Sequence, residues 1–180
     1  PTFDPVLVGF LPGVGTAQDV AAVGTTAFVA SDPFGLSVVS AVTPSAPVMD
    51  GTPQQPFNGG RTAVRGSRAV VTGVENGQAR LWVLDVSEPQ PVVLGELVTT
   101  ATSILDVALN DAGTVAVTAM GAAGLWVIDL GDPAAPVRRS VFDTAGVAFA
   151  VALNGAGTIA YVADGSGGLK VLSLSNPSTP

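Results

Sequence analysis

The feature that most constrains the fold of this chain is a repeat of about 44 residues. Four segments end in a short proline-containing turn, and the last prolines of these turns are Pro47, Pro91, Pro136 and Pro180. A leucine recurs in step with them, at Leu36, Leu81, Leu125 and Leu169. Two anchors that share one period indicate a repeat architecture. We therefore predict one domain over residues 1–180, made of repeats 6–47, 48–91, 92–136 and 137–180.

Each repeat contains up to four short runs of apolar and β-branched residues, which is the pattern of strands. The first predicted strands follow the prolines, at 6–10, 92–97 and 137–142, and the second repeat is weakest here. The second strands are 20–23, 62–64, 106–109 and 149–153, and the third are 27–30, 69–72, 115–119 and 159–163. The fourth strands are 36–39, 81–86, 125–130 and 169–174. Gly or Asn-containing turns join the second strands to the third, as tight hairpins require.

Several of these strands are apolar on both faces, as in Leu81-Trp82-Val83-Leu84. A sheet with one face in water would alternate apolar and polar residues, so both faces of these sheets are predicted to be covered. Four strands in each unit of this length are typical of propeller blades, which stack face to face. The predicted fold is therefore all-β, a β-propeller built from four four-stranded blades. A β-sandwich is the alternative, although it does not require four similar units.

Three stretches carry a resemblance to a known family: AYVADGSGGLKVL at 160–172, GLWVIDLGDP at 124–133 and LWVLDVSEP at 81–89. They resemble the LVIVD repeat, and the similarity extends over essentially the whole chain. The first two repeats diverge most; Arg80, for example, replaces the glycine that precedes the leucine elsewhere. The resemblance implies propeller blades and a bacterial or archaeal surface or secreted protein. It implies no catalytic motif.

The sequence leaves the closure of the propeller open. The strand that leads into a propeller repeat commonly completes the previous blade as its outer strand. On that arrangement 6–10 is an outer strand without its own blade, and the last repeat lacks one. The four blades could close alone, be completed by a second chain, or form part of a larger propeller or array. The start at Pro1, without methionine, favours a processed product or part of a longer chain.

Composition excludes several classes of function. The chain has 14 acidic and 7 basic residues, and a net charge of -7 disfavours binding to nucleic acid. It contains no cysteine and no histidine, which excludes disulfides, thiolate or imidazole metal sites, and Ser-His or Cys-His dyads. Polar residues or glycine and proline interrupt every apolar stretch, so we expect no insertion into a membrane.

One repeat position supplies the candidate binding residues. Asp19, Arg61, Asp106 and Ala150 lie just before or at the start of the second strand, which is innermost in a propeller. Asp19, Arg61 and Asp106 are therefore predicted to line one mouth of the central channel, where they could bind a cation or polar ligand. The alternative is a structural role, in which the aspartates accept hydrogen bonds from backbone N–H groups.

Trp82 and Trp126 share a second repeat position and are candidates for surface stacking on sugars, with packing in the core as the alternative. The irregular stretch 53–60 departs most from the repeat and is a candidate specificity loop. The loops 110–113 and 164–168 resemble calcium loops only in part, because they supply too few acidic ligands. We therefore expect no metal site and no cofactor, with calcium as the one exception left open.

These observations predict a non-catalytic extracellular or cell-surface scaffold. Its partners would be a protein, a glycan or copies of itself joined through open blade edges. The alternative is a propeller hydrolase or lactonase whose metal is held by the carboxylates at the channel mouth. We expect no catalytic residues, no nucleic-acid partner and no membrane insertion.

Overall fold

The computed structural model describes residues 5–51, 55 and 57–175, and it contains four antiparallel sheets. Each sheet is called a blade here. Blade 1 consists of β1 (Thr16–Val23), β2 (Thr26–Asp32), β3 (Gly35–Ser40) and β4 (Val48–Asp50). Blade 2 consists of β5 (Thr62–Arg65), β6 (Arg68–Glu75), β7 (Gln78–Asp85) and β8 (Val92–Val98). Blade 3 consists of β9 (Asp106–Leu109), β10 (Val115–Ala119), β11 (Leu125–Asp129) and β12 (Val137–Phe142).

Blade 4 has three strands in the described part of the chain: β13 (Ala150–Leu153), β14 (Ile159–Ala163) and β15 (Leu169–Ser173). A single 3-10 turn, Gly165–Gly167, connects the last two. The prediction of an all-β fold made of propeller-like blades is confirmed. The outer strand of each of blades 1 to 3 comes from the following sequence repeat, as expected for a propeller.

Asparagine and glycine fix the hairpins between inner strands. In the turn from β9 to β10, the Asn110 side-chain oxygen accepts hydrogen bonds from the N–H groups of Thr114 and Val115, both at 2.9 Å. Gly113 takes a φ of +67° in that turn, which a residue with a Cβ adopts only at a cost. Asn154 repeats the arrangement between β13 and β14. The repeated turn chemistry therefore gives each of these two hairpins the same register.

The apolar core lies between the blades. One cluster joins blades 1 and 2, with Phe28 and Leu36 packed against Leu84, and a second joins blades 2 and 3. A third cluster joins blades 3 and 4, with Val127 packed near Val162. Fully burying one such side chain contributes roughly 1.5–3 kcal/mol. The blades are therefore held in chain order, each by both of its neighbours where it has two.

The array is open, so the arrangement in which four blades close alone is excluded. Residues 6–10, predicted as a strand, form no strand. They lie over the face of blade 1 that points away from blade 2, where they line a groove together with Val20 and Val39. In the described part of the chain, no strand pairs with the free edge of β15.

Two described residues of the predicted specificity loop are internal. Of the stretch 53–60, residues 53, 54 and 56 lie outside the described part of the chain. Gln55 is buried and its side-chain oxygen accepts a hydrogen bond from the Leu36 N–H at 2.8 Å. The buried ring of Phe57 stacks on Trp82 with 4.0 Å between ring centroids. These residues fill the joint between blades 1 and 2, so they cannot serve as an exposed recognition loop.

Candidate functional site

The candidate residues of the channel mouth lie on or directly before the first strands of blades 1 to 3. These first strands are neighbours along the array: β1 contacts β5, β5 contacts β9, and β9 contacts β13. Arg61 precedes β5 by one residue, whereas Asp19 lies within β1 and Asp106 opens β9. The common repeat position therefore places all three along the inner side of the array.

Both aspartates at this position join one blade to the next. The Asp19 carboxylate accepts a hydrogen bond from the Thr62 N–H of blade 2 at 2.9 Å. The Asp106 carboxylate accepts one from the Val151 N–H of blade 4 at 2.8 Å. The second oxygen of each carboxylate accepts the N–H of the residue that follows it, at 2.9 Å in both cases. These carboxylates thus pair backbone donors that the short inner strands would otherwise leave without partners.

Arg61 joins blades 2 and 3 as a hydrogen-bond donor, whereas the aspartates act as acceptors. Its guanidinium Nε donates to the carbonyl oxygen of Leu105, the residue before Asp106, at 2.8 Å. Three successive joints therefore use the same repeat position: Asp19 to blade 2, Arg61 to blade 3 and Asp106 to blade 4. At the fourth occurrence of the position stands Ala150, whose methyl side chain can form no such bond.

The electrostatics of Asp106 reflect its surroundings. Burial raises the pKa of Asp106 above its ordinary value, and the hydrogen bonds from Val151 and Val107 partly offset this. The negative charge of Asp19 adds to the rise and the positive charge of Arg61 opposes it. Asp19 and Arg61 are thus near enough to Asp106 to influence its carboxylate.

Metal chemistry would need free ligands at this site. Within residues 5–51, 55 and 57–175 there is no group of three or more acidic, histidine or cysteine side chains that could hold a metal ion.

The Asp164 side chain, from the loop 164–168, is fully buried and neither carboxylate oxygen has a hydrogen-bond partner in the described structure. It lies against Gly146 and Gly167, where a Cβ would come within 2.6 Å and 2.2 Å of its oxygen. One carboxylate falls far short of the six to eight oxygens typical of calcium.

The two tryptophans are buried, which corrects their prediction as surface residues. Trp82 and Trp126 are 4% and 5% exposed and belong to the clusters between blades. The guanidinium of Arg138 lies over the Trp126 ring, 4.4 Å from its centroid. Because Phe57 covers one indole and Arg138 the other, neither ring offers a free face to a sugar. Their position inside an apolar strand was the signal for packing.

The aspartates that end the third strands of blades 2 and 3 fix turns. The Asp85 carboxylate accepts the Ser87 N–H at 2.8 Å, and Asp129 accepts the Gly131 N–H at 2.7 Å. Asp129 also forms an ion pair with Arg139. Hydrogen bonds from Ser87 lower the pKa of Asp85, and those from Gly131 and then Arg139 lower the pKa of Asp129.

Sequence reasoning found the open strand edges at the two ends of the array but missed the exposed apolar faces there. Apolar side chains are exposed on the outer face of blade 4 and on the inner strand of blade 1, among them Leu169, Val171 and Val20. Their residue types are those of core positions in the other blades. No single residue therefore marks them as surface; only the count of blades does.

Comparison with known proteins bears on the repeat and the fold. The model of the LVIVD repeat matches residues 14–53 and 145–180. No curated protein matches the chain. The first match contains all four strands of blade 1.

Two solved structures are similar in fold. One is the crystal structure of a functionally unknown protein from Desulfotomaculum acetoxidans DSM 771, with a TM-score of 0.79 and 13% identity. The similarity covers 98% of this chain and 59% of that one, so this chain spans about three-fifths of its length. The other is a chain in the crystal structure of the mitotic checkpoint complex, with a TM-score of 0.66, 10% identity, and coverage of 87% and 48%. The chain carries LVIVD repeats in its first and last blades, and its four sheets form an open array of propeller-like blades.

Proposed function

We propose that the chain is a non-catalytic interaction module that acts outside the cell or on its surface. The observation that carries the proposal is the use of Asp19, Arg61 and Asp106, whose polar atoms bond the backbone of the next blade. Both oxygens of each carboxylate accept a backbone N–H, and the guanidinium donates to a backbone carbonyl, so these side chains act in the scaffold rather than on a metal or a water molecule.

The partner we propose is a protein. Both indoles are packed between blades, so the stacking platform that a glycan site commonly uses is absent from these two positions. The described surface exposes aliphatic side chains, for example Val42 and Val98, on a rigid array of sheets. The extracellular location rests on the resemblance to LVIVD repeats of surface and secreted proteins. In the described part of the chain, no helix has the length and apolar character to cross a membrane.

The experiment that tests the non-catalytic role compares the wild-type chain with Asp19→Asn and Asp106→Asn. Titration with Ca²⁺ and Zn²⁺ in a calorimeter should show no saturable binding to any of them. Hydrolysis of p-nitrophenyl acetate and of γ-butyrolactone should stay at the rate of buffer, while both variants unfold at lower temperature. Metal binding or hydrolysis that disappears in Asp106→Asn would contradict the proposal and support the hydrolase.

Location is tested separately, by brief protease treatment of intact cells of the organism that encodes the chain. We expect peptides of this chain to be released before those of a cytoplasmic control protein. Release only after lysis would contradict the extracellular location and leave the test of catalysis unaffected.

A further inference from the structure

The face of blade 4 that points away from blade 3 has the composition of an interface between blades. Leu36, Leu81 and Leu125 lie on the third strands of blades 1, 2 and 3. Each packs towards the following blade, with an exposed fraction of 0%, 0% and 1% respectively. Leu169 holds the same repeat position in blade 4 and is 70% exposed. Val171 and Tyr161, which pair across β14 and β15, are exposed beside it.

Blade 1, at the opposite end of the array, also exposes a residue at a position that is buried in the other blades. Thr62, Val107 and Val151 follow the channel-mouth position in blades 2, 3 and 4, and packing towards the preceding blade leaves them 7%, 5% and 7% exposed. Val20 holds that position in blade 1 and is 61% exposed. Each end of the described array therefore presents an apolar face of the kind that is buried between blades elsewhere.

The segment 6–11 stands where the outer strand of a preceding blade would stand. Gly51, which directly follows the outer strand of blade 1, lies so close to blade 2 that a Cβ would come within 2.8 Å of the Pro89 carbonyl oxygen. In blade 2, Gly95 makes the same approach to Pro133 of blade 3, at 2.5 Å. Gly9 makes it to Pro44 of blade 1, at 2.0 Å.

The sequence around these glycines agrees with the geometry. Residues 6–11 read VLVGFL and residues 92–97, in β8, read VVLGEL, and a proline precedes both. Between segment 6–11 and blade 1 runs a groove of about 720 Å³, lined by Val20, Val29 and Val39 among others. Segment 6–11 thus holds the place of an outer strand, although it forms none, and the described structure has no inner strands beside it. Blade 4 has the reverse arrangement, with three inner strands and no outer strand in the described structure.

We propose that blade 4 of one copy of this chain enters the groove beside segment 6–11 of a second copy, so that two chains complete one four-stranded blade. The occupant is a second copy because the described residues contain both a segment in outer-strand position and a blade of three inner strands. They lie at opposite ends of an array in which only successive blades share a core. Pairing segment 6–11 with β15 would satisfy the free edge, in the way that an added strand completes an open sheet.

The register of this contact follows from the other blades. Val83 pairs with Gly95 in blade 2, and Val127 pairs with Ser140 in blade 3. The equivalent pair across the two copies is Val171 with Gly9. One step along, Trp82 pairs with Glu96 and Trp126 with Val141, which places Lys170 opposite Phe10 of the second copy. The contact is head to tail, so it produces a closed ring or an open filament according to the rotation between copies.

The first test is the mass in solution of residues 1–180, measured by light scattering after size exclusion from low to high micromolar concentration. We expect at least twice the 17.8 kDa of one chain at high concentration. Val171→Asp should reduce the mass to that of one chain, because it places a charge within the apolar joint. The matched control is Val98→Asp, which alters a similarly exposed valine on β8, away from both ends, and should assemble normally.

The second test identifies the contact. The chain has no cysteine, so Phe10→Cys and Lys170→Cys each introduce a single thiol. When the two variants are mixed and oxidised, we expect a disulfide-linked dimer of one chain of each, whereas Phe10→Cys mixed with Val98→Cys should give much less. This cross-link does not depend on the proposed function.

Three results would overturn the proposal. One is a single-chain mass at every concentration. Another is an assembly that Val171→Asp leaves intact. The third is a doubly substituted chain that forms the Phe10–Lys170 cross-link within a monomer, since a segment of the same chain would then occupy the site.

Discussion

Asp19, Arg61 and Asp106 occupy one repeat position and join neighbouring blades with two different chemistries. A carboxylate in blades 1 and 3 accepts a backbone N–H of the next blade, whereas a guanidinium in blade 2 donates to a backbone carbonyl. An acidic and a basic residue can replace one another because an inner strand presents both donors and acceptors at its start. In blades 1 to 3, the residue at this position therefore needs a side chain that can extend to the backbone of the next blade and form a hydrogen bond there, whatever its charge.

We predict that Asp106→Ala destabilises the chain by about 1–3 kcal/mol, the cost of leaving a buried donor unpaired. Val151, whose N–H loses its partner, is buried. Chemical denaturation with fluorescence of the two tryptophans measures the change. Glu88→Ala, which removes an exposed carboxylate from a turn, is the control and should cost less than about 0.5 kcal/mol. Equal effects of the two substitutions would show that the bond between blades contributes nothing specific.

A second prediction concerns stability in acid. The pKa of Asp129 is lowered in the fold, so the unfolded chain binds its proton more readily and stability falls as pH drops below the ordinary value of 3.8. Asp106 has the opposite sign: its raised pKa makes the folded chain bind the proton more readily, so its contribution weakens as pH rises above 3.8.

Asp129→Asn should therefore flatten the dependence of unfolding free energy on pH below 3.8, and Asp106→Asn should steepen its rise above 3.8. Denaturant midpoints taken at several pH values between 3 and 6 test both, with Glu88→Gln as the control. The same change of slope in both variants would contradict the opposite signs.

At the scale of the element, the outer strands are limited by their distance from the next blade. Gly95 in β8 faces the carbonyl oxygens of Pro133 and Ala134, where a Cβ would lie 2.5 Å and 2.7 Å away. We predict that Gly95→Val displaces β8 and lowers the unfolding temperature, since backbone atoms cannot yield as a side chain does. Val92→Ala on the same strand, at an exposed position, is the control. Hydrogen exchange in β8 should accelerate in the first variant only.

Most strands could be predicted from sequence because each carries its own signal. The strands 115–119 and 159–163 have the predicted bounds, since β-branched runs between Asn-Gly turns leave little freedom. The run 6–10 has the same composition and is no strand, because a strand also requires an edge to pair with. Residues 55 and 57 were misjudged for a related reason: their burial depends on the space between two blades, which a local pattern does not encode.

The candidate site was predictable to the same extent. The repeat period placed Asp19, Arg61 and Asp106 on neighbouring strands, and their hydrogen bonds between blades are of the kind that the structural alternative described. The period did not show that Arg61 bonds the backbone too. The burial of Trp82 depends partly on Phe57, from an irregular stretch outside the repeat.

At the scale of the whole molecule, stability should follow the position of each blade in the array. In a repeat fold each unit interacts only with its neighbours, so a unit with two neighbours opens less often than one with a single neighbour. Blades 2 and 3 are covered on both faces, and β10 is almost entirely buried. Blade 4 is covered on one face, and alternate residues of β14 are exposed.

We therefore predict that amides of β14 and β15 exchange faster than those of β10 and β11 when the chain is monomeric, as in Val171→Asp. In the wild-type chain, protection of β15 should rise with concentration while that of β10 stays constant, because a second copy adds a face and a strand only to blade 4. Hydrogen exchange followed by mass spectrometry resolves these strands as separate peptides. Protection of β15 that equals that of β10 at every concentration would mean that the last blade is stable with one neighbour, which contradicts the coupling between blades on which this prediction depends.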